Sequence, residues 1–308
     1  MGKLKVGIIG TGHLGKIHTK LLKEVEGCEF VGVSDQEFEK AKAVANEFQI
    51  QAFESLDDLL DSVDAVDIVA TTSAHYELVK KAFEKDKHVF VEKPITTQIW
   101  EAEEIVKISE EKNLVLQVGH IERFNPALVS LEKYKLNPIF IQTDRLAQFN
   151  PRGTDVAVVL DLMIHDIDII LSLIKSNVKD VHANGVALVS DTLDIANARI
   201  EFENGAVANV TASRISQKKM RKMRIFQRDA YLSLDFNTGM TEIFSLASPD
   251  NLPETQHINF GEIGVGDKRK AVIYEQPEQK EINALKHELQ LFVNAVNNNE
   301  KPEVSGAD

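Results

Sequence analysis

The sequence predicts an α/β protein in which a doubly wound parallel sheet is followed by an α+β domain with an open, mostly antiparallel sheet. Three observations lead to this prediction. An apolar strand enters a glycine-rich turn close to the start of the chain. Strand-like and helix-like segments then alternate as far as residue 119, and strand-like segments follow one another after Asn137.

The glycine turn has the pattern Gly10-x-Gly12-x-x-Gly15 and follows the apolar residues Val6, Ile8 and Ile9. A helix-period stripe comes next, at Leu14, Ile17, Leu21, Leu22 and Val25. Strand, glycine turn and helix in this order form the dinucleotide-binding fingerprint of Rossmann domains. The glycines allow a tight turn and close approach of a pyrophosphate, which the positive end of the helix attracts. We therefore expect Gly10, Gly12, His13, Leu14 and Gly15 to bind the cofactor.

The second strand, at residues 30–34, ends in Asp35, twenty residues after Gly15. An acid at this position accepts hydrogen bonds from the ribose hydroxyls of NAD and repels the additional phosphate of NADP. The alternative is that Asp35 caps the helical pattern at 37–47. The spacing favours the ribose role, so the predicted cofactor is NAD.

The remainder of the first domain continues the alternation. Apolar strands are predicted at 66–70, 88–91 and 115–118, with helical patterns at 56–60, 76–85 and 100–112. Such alternation is typical of a parallel sheet covered by helices on both faces. We place the NAD-binding domain at residues 1–120 and a substrate-binding and oligomerisation domain at 121–308.

Composition excludes several classes of partner. The chain has 308 residues with a net charge of −13, which disfavours nucleic acid and anionic membrane surfaces. No apolar run reaches the ~20 residues that span a membrane, and the N-terminus carries no cleavable apolar leader. The single cysteine, Cys28, is consistent with a reducing compartment. We therefore expect a cytoplasmic protein.

The second domain is predicted to be mostly strands. Strand-like segments lie at 139–146, 178–189, 195–202, 207–213, 223–227 and 231–236, whereas 248–279 is expected to form loops around short strands. One long helix at 156–174 and a final helical pattern near 281–296 accompany them. A helix on one face of an open sheet leaves the other face to be covered. We expect a homodimer or homotetramer formed through this sheet.

The helix at 156–174 is apolar on most of its surface but carries Asp161, His165, Asp168 and Ser172 along one stripe. Asp161 and His165 are one turn apart, so the carboxylate can orient the imidazole and raise its basicity. Such a pair acts as a general base with its orienting group. Two alternatives remain: a structural Asp–His pair, or a metal site that includes Asp168. We expect no metal.

Glu92-Lys93-Pro94 ends the fifth predicted strand. The carboxyl ends of the strands border the ligand crevice of a doubly wound sheet. A lysine at this position can direct its ammonium group towards the nicotinamide or a substrate hydroxyl. The alternative is a solvated Glu–Lys pair.

Together, the glycine turn, Glu92-Lys93-Pro94 and Asp161-x-x-x-His165 resemble the glucose–fructose oxidoreductase/inositol dehydrogenase (Gfo/Idh/MocA) family. The resemblance extends from Lys3 to about Val304. It implies an N-terminal Rossmann domain that binds NAD(P) and a C-terminal domain that presents substrate, with Lys93, Asp161 and His165 as catalytic residues. It also implies cofactor contacts from Thr71, Thr72 and His75, and we include Glu92 and Lys93 in that set.

The segments 119–126, 161–168 and 216–224 resemble the branch of the family that acts on nucleotide-linked amino sugars. Arg123 and Asn125 are predicted to bind substrate together with the catalytic residues, and Arg145 and Arg152 are further candidates. A basic run could neutralise a diphosphate, or it could protect a sheet edge; it comprises Lys218, Lys219, Arg221, Lys222, Arg224 and Arg228. The expected reaction is oxidation of a secondary alcohol of a sugar. The alternatives are a polyol or free-sugar dehydrogenase and a non-catalytic NAD-binding regulator.

Overall fold

The structure is a computed structural model that describes residues 2–150, 156–250 and 258–308. The chain divides into two compact units. Unit 1 comprises Met1–Ile121 and Asn283–Asp308, and unit 2 comprises Glu122–Ile282.

Unit 1 is built on a six-stranded parallel sheet in the order β3-β2-β1-β4-β5-β6. Its strands are β1 (Leu4–Ile9), β2 (Cys28–Ser34), β3 (Gln51–Phe53), β4 (Ala65–Ile68), β5 (His88–Glu92) and β6 (Leu116–Gly119). Its helices up to this point are α1 (His13–Leu22), α2 (Phe38–Phe48), α3 (Leu56–Ser62), α4 (Thr72–Glu84) and α5 (Ile99–Lys112). The strand order reverses beside β1, which places a crevice at the carboxyl ends of β1 and β4.

The buried face of α1 differs from the predicted apolar stripe. Leu14 is 50% exposed and Ile17 is 37% exposed, whereas His18 and Thr19 are fully buried. The stripe prediction is therefore wrong at its first two positions. Of the polar residues of α1, only His18 and Thr19 are buried, whereas His13, Lys16 and Lys20 are exposed.

Unit 2 contains a nine-stranded sheet in the order β14-β15-β13-β12-β11-β7-β10-β9-β8. The strands are β7 (Phe140–Leu146), β8 (Val178–Val186), β9 (Ile195–Phe202), β10 (Val207–Ser213), β11 (Met220–Gln227), β12 (Ala230–Asp235), β13 (Met240–Ala247), β14 (Ile258–Ile263) and β15 (Lys270–Glu275). All neighbouring pairs are antiparallel except β7 with β10, which run parallel. The α/β class and the mostly antiparallel second sheet are confirmed.

Helices cover one face of this sheet. A 3-10 turn at Ile121–Phe124 leads into α6 (Pro126–Val129), and a π-helical segment at Val159–Met163 leads into α7 (Ile164–Leu173). The core formed between helices and sheet includes Met163, Ile169 and Ile170.

The last helix, α8 (Ala284–Asn298), belongs to unit 1 and not to the second domain in which the sequence placed it. Its Leu289, Phe292 and Val293 are fully buried in the core of unit 1. The ring of Phe292 lies 5.8 Å from that of Phe90 on β5. The correction has a simple physical cause, since the apolar face of α8 completes one layer of helices on the parallel sheet.

Candidate functional site

The glycine turn forms a cradle in which Gly10 and Gly15 leave no room for a Cβ atom. Gly10 has a φ of +100°, and a Cβ atom there would lie 2.6 Å from the carbonyl oxygen of Val69. A Cβ on Gly15 would lie 2.1 Å from the carbonyl oxygen of Gly10. At Gly12, by contrast, the space around a Cβ is open to 4 Å. The turn is thus compact inside and accessible on the side from which a pyrophosphate would approach.

The first turn of α1 offers backbone donors at this open side. Gly12 is the N-cap, and it has no side chain that could occupy the N–H groups of the first turn. His13 and Leu14 are exposed. The N–H groups of a first helical turn bind anions through hydrogen bonds and the helix dipole. These features fit a dinucleotide, and the predicted contacts of His13 and Leu14 remain predictions.

Asp35 lies directly after β2 and is held in place by its neighbours. Thr11 donates to Oδ2 from its main-chain N–H at 2.7 Å and from its hydroxyl at 2.8 Å. The N–H of Glu37 donates to Oδ1 at 2.9 Å. Partial burial raises the pKa of this carboxyl, but the hydrogen bonds outweigh it and the pKa is lowered. Asp35 is therefore an ionised, oriented acceptor, and it organises the start of α2 as well.

The turn after β4 places Thr71 and Thr72 at the start of α4, where Thr71 is the N-cap. His75 is buried, with Nδ1 2.9 Å from the carbonyl oxygen of Pro94 and Nε2 3.1 Å from that of Ala70. Burial lowers the pKa of His75. Both ring nitrogens thus face main-chain oxygens, so His75 connects two turns at the carboxyl edge of the sheet. Its predicted contact with the cofactor is untested.

Glu92 is the last residue of β5, and Lys93 follows it at the same edge of the sheet as Asp35 and the glycine turn. The main-chain N–H of Lys93 donates to Oε2 of Glu92 at 3.2 Å. Lys93 is half-buried. The cofactor-binding residues predicted in unit 1 therefore all lie at the carboxyl ends of its strands, where ligands of such sheets bind.

In unit 2, Asp161 lies in the π-helical segment Val159–Met163, and His165 lies in the first turn of α7. Single π-helical turns occur frequently at functional sites, because the extra residue rotates the side chains around it. Both side chains are half-buried. The sequence predicted a continuous α-helix at this position, and the hydrogen bond between Asp161 and His165 remains a prediction.

The other polar residues of this helix are bound by the protein itself. Arg123 donates to both oxygens of Asp168, at 2.8 Å from Nε and 2.6 Å from Nη2. Ser172 donates to the carbonyl oxygen of Ile169. A carboxylate engaged by a guanidinium fork is a poor metal ligand. Among the described residues, no cluster of three or more His, Cys, Asp or Glu residues could hold a metal ion.

Arg145, which sequence reasoning treated as a substrate candidate, is buried in an ion network. Its Nε and Nη2 donate to the two oxygens of Asp166, each at 2.9 Å, and its Nη1 donates to Glu122 at 2.9 Å. Arg221 reaches the same oxygen of Glu122 at 3.3 Å. We call Arg145, Asp166 and Glu122 the guanidinium network. It corrects the substrate role, because Arg145 is only 2% exposed. Arg152 lies outside the described residues.

Asn125 also has protein partners at each polar atom of its side chain. Nδ2 donates to Oε2 of Glu122 at 3.0 Å and to the carbonyl oxygen of Phe236 at 3.1 Å. Oδ1 accepts from the N–H of Ala127 at 3.1 Å and so caps α6. Asn125 thus has a structural role in the protein, and its predicted contact with substrate remains a prediction. Arg123 likewise engages Asp168 through Nε and Nη2, and its predicted contact with substrate also remains a prediction.

The basic run is divided between pairs within the protein and solvent. Lys222 lies 3.6 Å from Asp235, and Arg221 pairs with Glu122. Lys218, Lys219 and Arg228 are exposed.

The described parts of the chain contain no helix long and apolar enough to cross a bilayer.

The parallel sheet, the glycine cradle and the oriented acid after β2 define a Rossmann-type nucleotide-binding protein. The model of the "oxidoreductase family, NAD-binding Rossmann fold" matches residues 4–120, and that of the "GFO/IDH/MocA C-terminal domain" matches residues 139–233. The chain belongs to this Gfo/Idh/MocA family of oxidoreductases, and NAD is its cofactor.

Among its relatives, the UDP-N-acetylglucosamine 3-dehydrogenase of Acidithiobacillus ferrooxidans is 40% identical over 78% of this chain and 77% of its own length. The scyllo-inositol 2-dehydrogenase (NAD(+)) of Bacillus subtilis is 31% identical over 70% of this chain and 68% of its own. The solved structure of the Acidithiobacillus ferrooxidans enzyme GnnA aligns with a TM-score of 0.87 and 35% identity, and it covers 100% of this chain and 93% of that one.

The most informative residues that sequence reasoning missed are His18 and Asp67 in unit 1 and Asp166 and Glu122 in unit 2. Each is a buried ionisable group. Only Asp67 carried a signal in the sequence, because it lies in the otherwise apolar segment 65–70 and an unpaired buried charge is costly.

Proposed function

We propose that the chain oxidises a secondary alcohol of a nucleotide-linked amino sugar of the UDP-N-acetylglucosamine type. The observation that carries the proposal is the 40% identity with UDP-N-acetylglucosamine 3-dehydrogenase, together with a structural match along the whole chain. The basic run supports a diphosphate-containing substrate, because Lys218 and Lys219 are exposed in an acidic protein.

The proposed roles follow from the chemistry of each residue. His165 takes the proton of the reacting hydroxyl, and Asp161 orients the imidazole and stabilises its charged form. Lys93 binds the hydroxyl oxygen and stabilises developing negative charge. The glycine turn and Asp35 would hold NAD, which when bound would supply the hydride acceptor for the oxidation of the same carbon. The half-buried position of His165 beside a π-helical turn supports its assignment as the base.

The substrate is tested by incubating the purified protein with NAD and one candidate at a time, following NADH absorbance. The candidates are UDP-N-acetylglucosamine, UDP-glucose, free N-acetylglucosamine, myo-inositol and scyllo-inositol, each with and without 2-oxoglutarate to detect recycling of bound NADH. We expect turnover with the UDP-amino sugar. Turnover restricted to the inositols would instead establish a polyol dehydrogenase, which the similarity to the inositol enzymes makes the second candidate.

The base is tested with His165→Asn and the matched control His182→Asn, whose imidazole is 71% exposed and pairs with Asp180. His165→Asn is expected to lower kcat by about 10²–10⁴-fold, with NAD affinity by calorimetry unchanged. His182→Asn is expected to retain normal turnover. A His165→Asn protein with full activity would remove the base assignment.

We also propose that a second copy of the chain covers the outer face of the unit 2 sheet. The ring centroids of Phe226 and Tyr231 lie 4.8 Å apart, and Phe226 is 38% exposed. The row of rings continues along the outer face through Phe140, Phe244, Tyr274 and Phe260. An exposed apolar row supports an isologous interface. Light scattering should give a dimer or tetramer, and Phe226→Glu should shift it towards monomer.

A reducing compartment such as the cytoplasm is proposed for the protein. Its lone cysteine, Cys28, is buried, and burial raises the pKa of the thiol to about 12. A thiol of this kind resists oxidation and has no intramolecular partner.

A further inference from the structure

A buried row of three ionisable side chains extends from α1 to the carboxyl end of β5. His18 on α1 lies with Nδ1 2.8 Å from Oδ2 of Asp67 on β4 and with Nε2 3.2 Å from Oε1 of Glu92. The His18 and Asp67 side chains are fully buried, and the Glu92 side chain is 13% exposed. We call these three residues the imidazole row.

The charges of the imidazole row support one another. Burial lowers the pKa of His18, but the carboxylates of Asp67 and Glu92 outweigh it and raise the pKa to about 10. Burial raises the pKa of Asp67. Its Oδ1 accepts no hydrogen bond from any part of the chain that the structure describes. His18 is therefore the main stabilising partner of Asp67, and apolar side chains of similar volume would stabilise the core at least as well.

A buried ion pair that adds little stability indicates another role. Glu92, the partly exposed member of the imidazole row, shows where that role is exerted. Two contacts fix the Glu92 carboxylate: Oε1 forms an ion pair with Nε2 of His18, and Oε2 accepts the N–H of Lys93. Gly119 leaves room for this carboxylate, since a Cβ there would approach the Glu92 carboxyl to 3.1 Å. The carboxylate position and the main chain of Lys93 are thus linked.

We propose that His18 and Asp67 are positioning residues that act through Glu92. Asp67 orients His18, His18 holds the Glu92 carboxylate, and Glu92 fixes the main chain that presents Lys93 at the edge of the sheet. Neither His18 nor Asp67 contacts substrate or cofactor in this assignment. The proposal deepens the proposed function, because it gives Lys93 the support that a group binding the reacting hydroxyl requires.

The first test is the effect of His18→Gln on turnover. The glutamine amide can donate hydrogen bonds, but it carries no charge to attract the two carboxylates. We expect kcat to fall by about 10–100-fold, while KM for the sugar and Kd for NAD stay within about twofold. Asp67→Asn, which preserves shape, should produce a smaller loss in the same direction. Wild-type kcat in both variants would overturn the proposal.

The second test separates positioning from a general structural role. If His18 acts through Glu92, then His18→Gln introduced into a Glu92→Gln protein should lower kcat by less than about twofold further. His18→Gln should nevertheless still lower the melting temperature in the Glu92→Gln background, because the contact between His18 and Asp67 is present there. An equal kcat loss in both backgrounds would overturn the proposal, because His18 would then act independently of Glu92.

The third test needs no turnover. Amide hydrogen exchange of the peptide covering residues 91–97 should be faster in His18→Gln, because the bond from the Lys93 N–H to Glu92 loosens. Leu59→Ala, which removes a fully buried side chain from α3, serves as the matched destabilised control and should leave this peptide and kcat unchanged. Equal exchange in His18→Gln and wild type would overturn the proposal. If no sugar is oxidised by the wild type, the proposed function fails, but this exchange experiment still decides the positioning role.

Discussion

Each unit buries one cation between two carboxylates, but the two cations are chemically different. In unit 1 the imidazole of His18 lies between Asp67 and Glu92. In unit 2 the guanidinium of Arg145 lies between Asp166 and Glu122. The first cation titrates, whereas the second is permanently charged.

The difference shows that the type of cation determines whether a buried network depends on pH. Burial lowers the pKa of Arg145, but the adjacent carboxylates outweigh it and raise the pKa above its usual value, so the group stays charged. Its planar fork also fixes the angle of Asp166, one residue after His165. The imidazole row fixes geometry only while His18 carries its proton. The guanidinium network therefore keeps its ion pairs independently of pH, whereas the imidazole row keeps them only while His18 is protonated.

The largest effect is expected from Arg145→Met, which leaves the buried carboxylates of Asp166 and Glu122 without their shared cation. The free energy of unfolding in urea should fall by about 3–5 kcal/mol, the range for breaking a buried ion pair. Arg199→Met is the control, because Arg199 is 46% exposed and pairs with Glu201 at the surface. It should change stability by less than about 1 kcal/mol. Similar values for the two variants would show that the guanidinium network contributes no stability.

The second effect distinguishes the two networks by pH. The pKa of His18 rises from 6.5 unfolded to about 10 folded. Its contribution to stability is therefore complete below pH 6.5 and is lost as the pH rises through 10, by roughly 1.4 kcal/mol per pH unit. The stability difference between wild type and His18→Gln should shrink along this range. The difference between wild type and Arg145→Met should stay constant from pH 7 to pH 10. If the two stability differences changed with pH in the same way, the two networks would not differ in their pH dependence.

The smallest effect on stability is expected from Asp35→Asn, since Asp35 is half-buried and hydrogen-bonded but belongs to no ion network. The amide keeps one acceptor oxygen, so unfolding should change by about 1 kcal/mol or less. The ratio of kcat/KM with NAD to that with NADP should fall by at least about tenfold, because the charge that repels the 2′-phosphate is gone. An unchanged ratio would count against the ribose role of Asp35.

The order of elements in unit 1 was readable from sequence because its signals are local. A glycine turn, an acid twenty residues later and alternating apolar segments each depend on neighbours in the chain. The prediction failed on α1 because the pattern treated His18 and Thr19 as surface positions. A polar residue is buried when a distant partner such as Asp67 neutralises it, and no local period reveals that partner.

In unit 2 the helix that carries Asp161 and His165 was predicted, but its π-helical turn and the guanidinium network were not. Arg145 and Asp166 are separated by twenty-one positions and Arg145 and Glu122 by twenty-three. Their pairing follows from the register of β7 in the sheet. The strand β13 was also missed, because its sequence does not alternate in the usual sense: Thr241 is polar but buried, whereas Met240 and Phe244 are apolar and lie on the opposite face.

The return of α8 to unit 1 has a consequence for how the protein is made. Phe292, Val293 and the other buried residues of α8 complete a core whose remaining residues lie between Leu4 and Val115. Unit 2, at Glu122–Ile282, is continuous and contains every strand of its own sheet. On a translating ribosome, unit 2 therefore has all its parts before unit 1 does. The nucleotide-binding half begins the chain, yet it is the last to close its core.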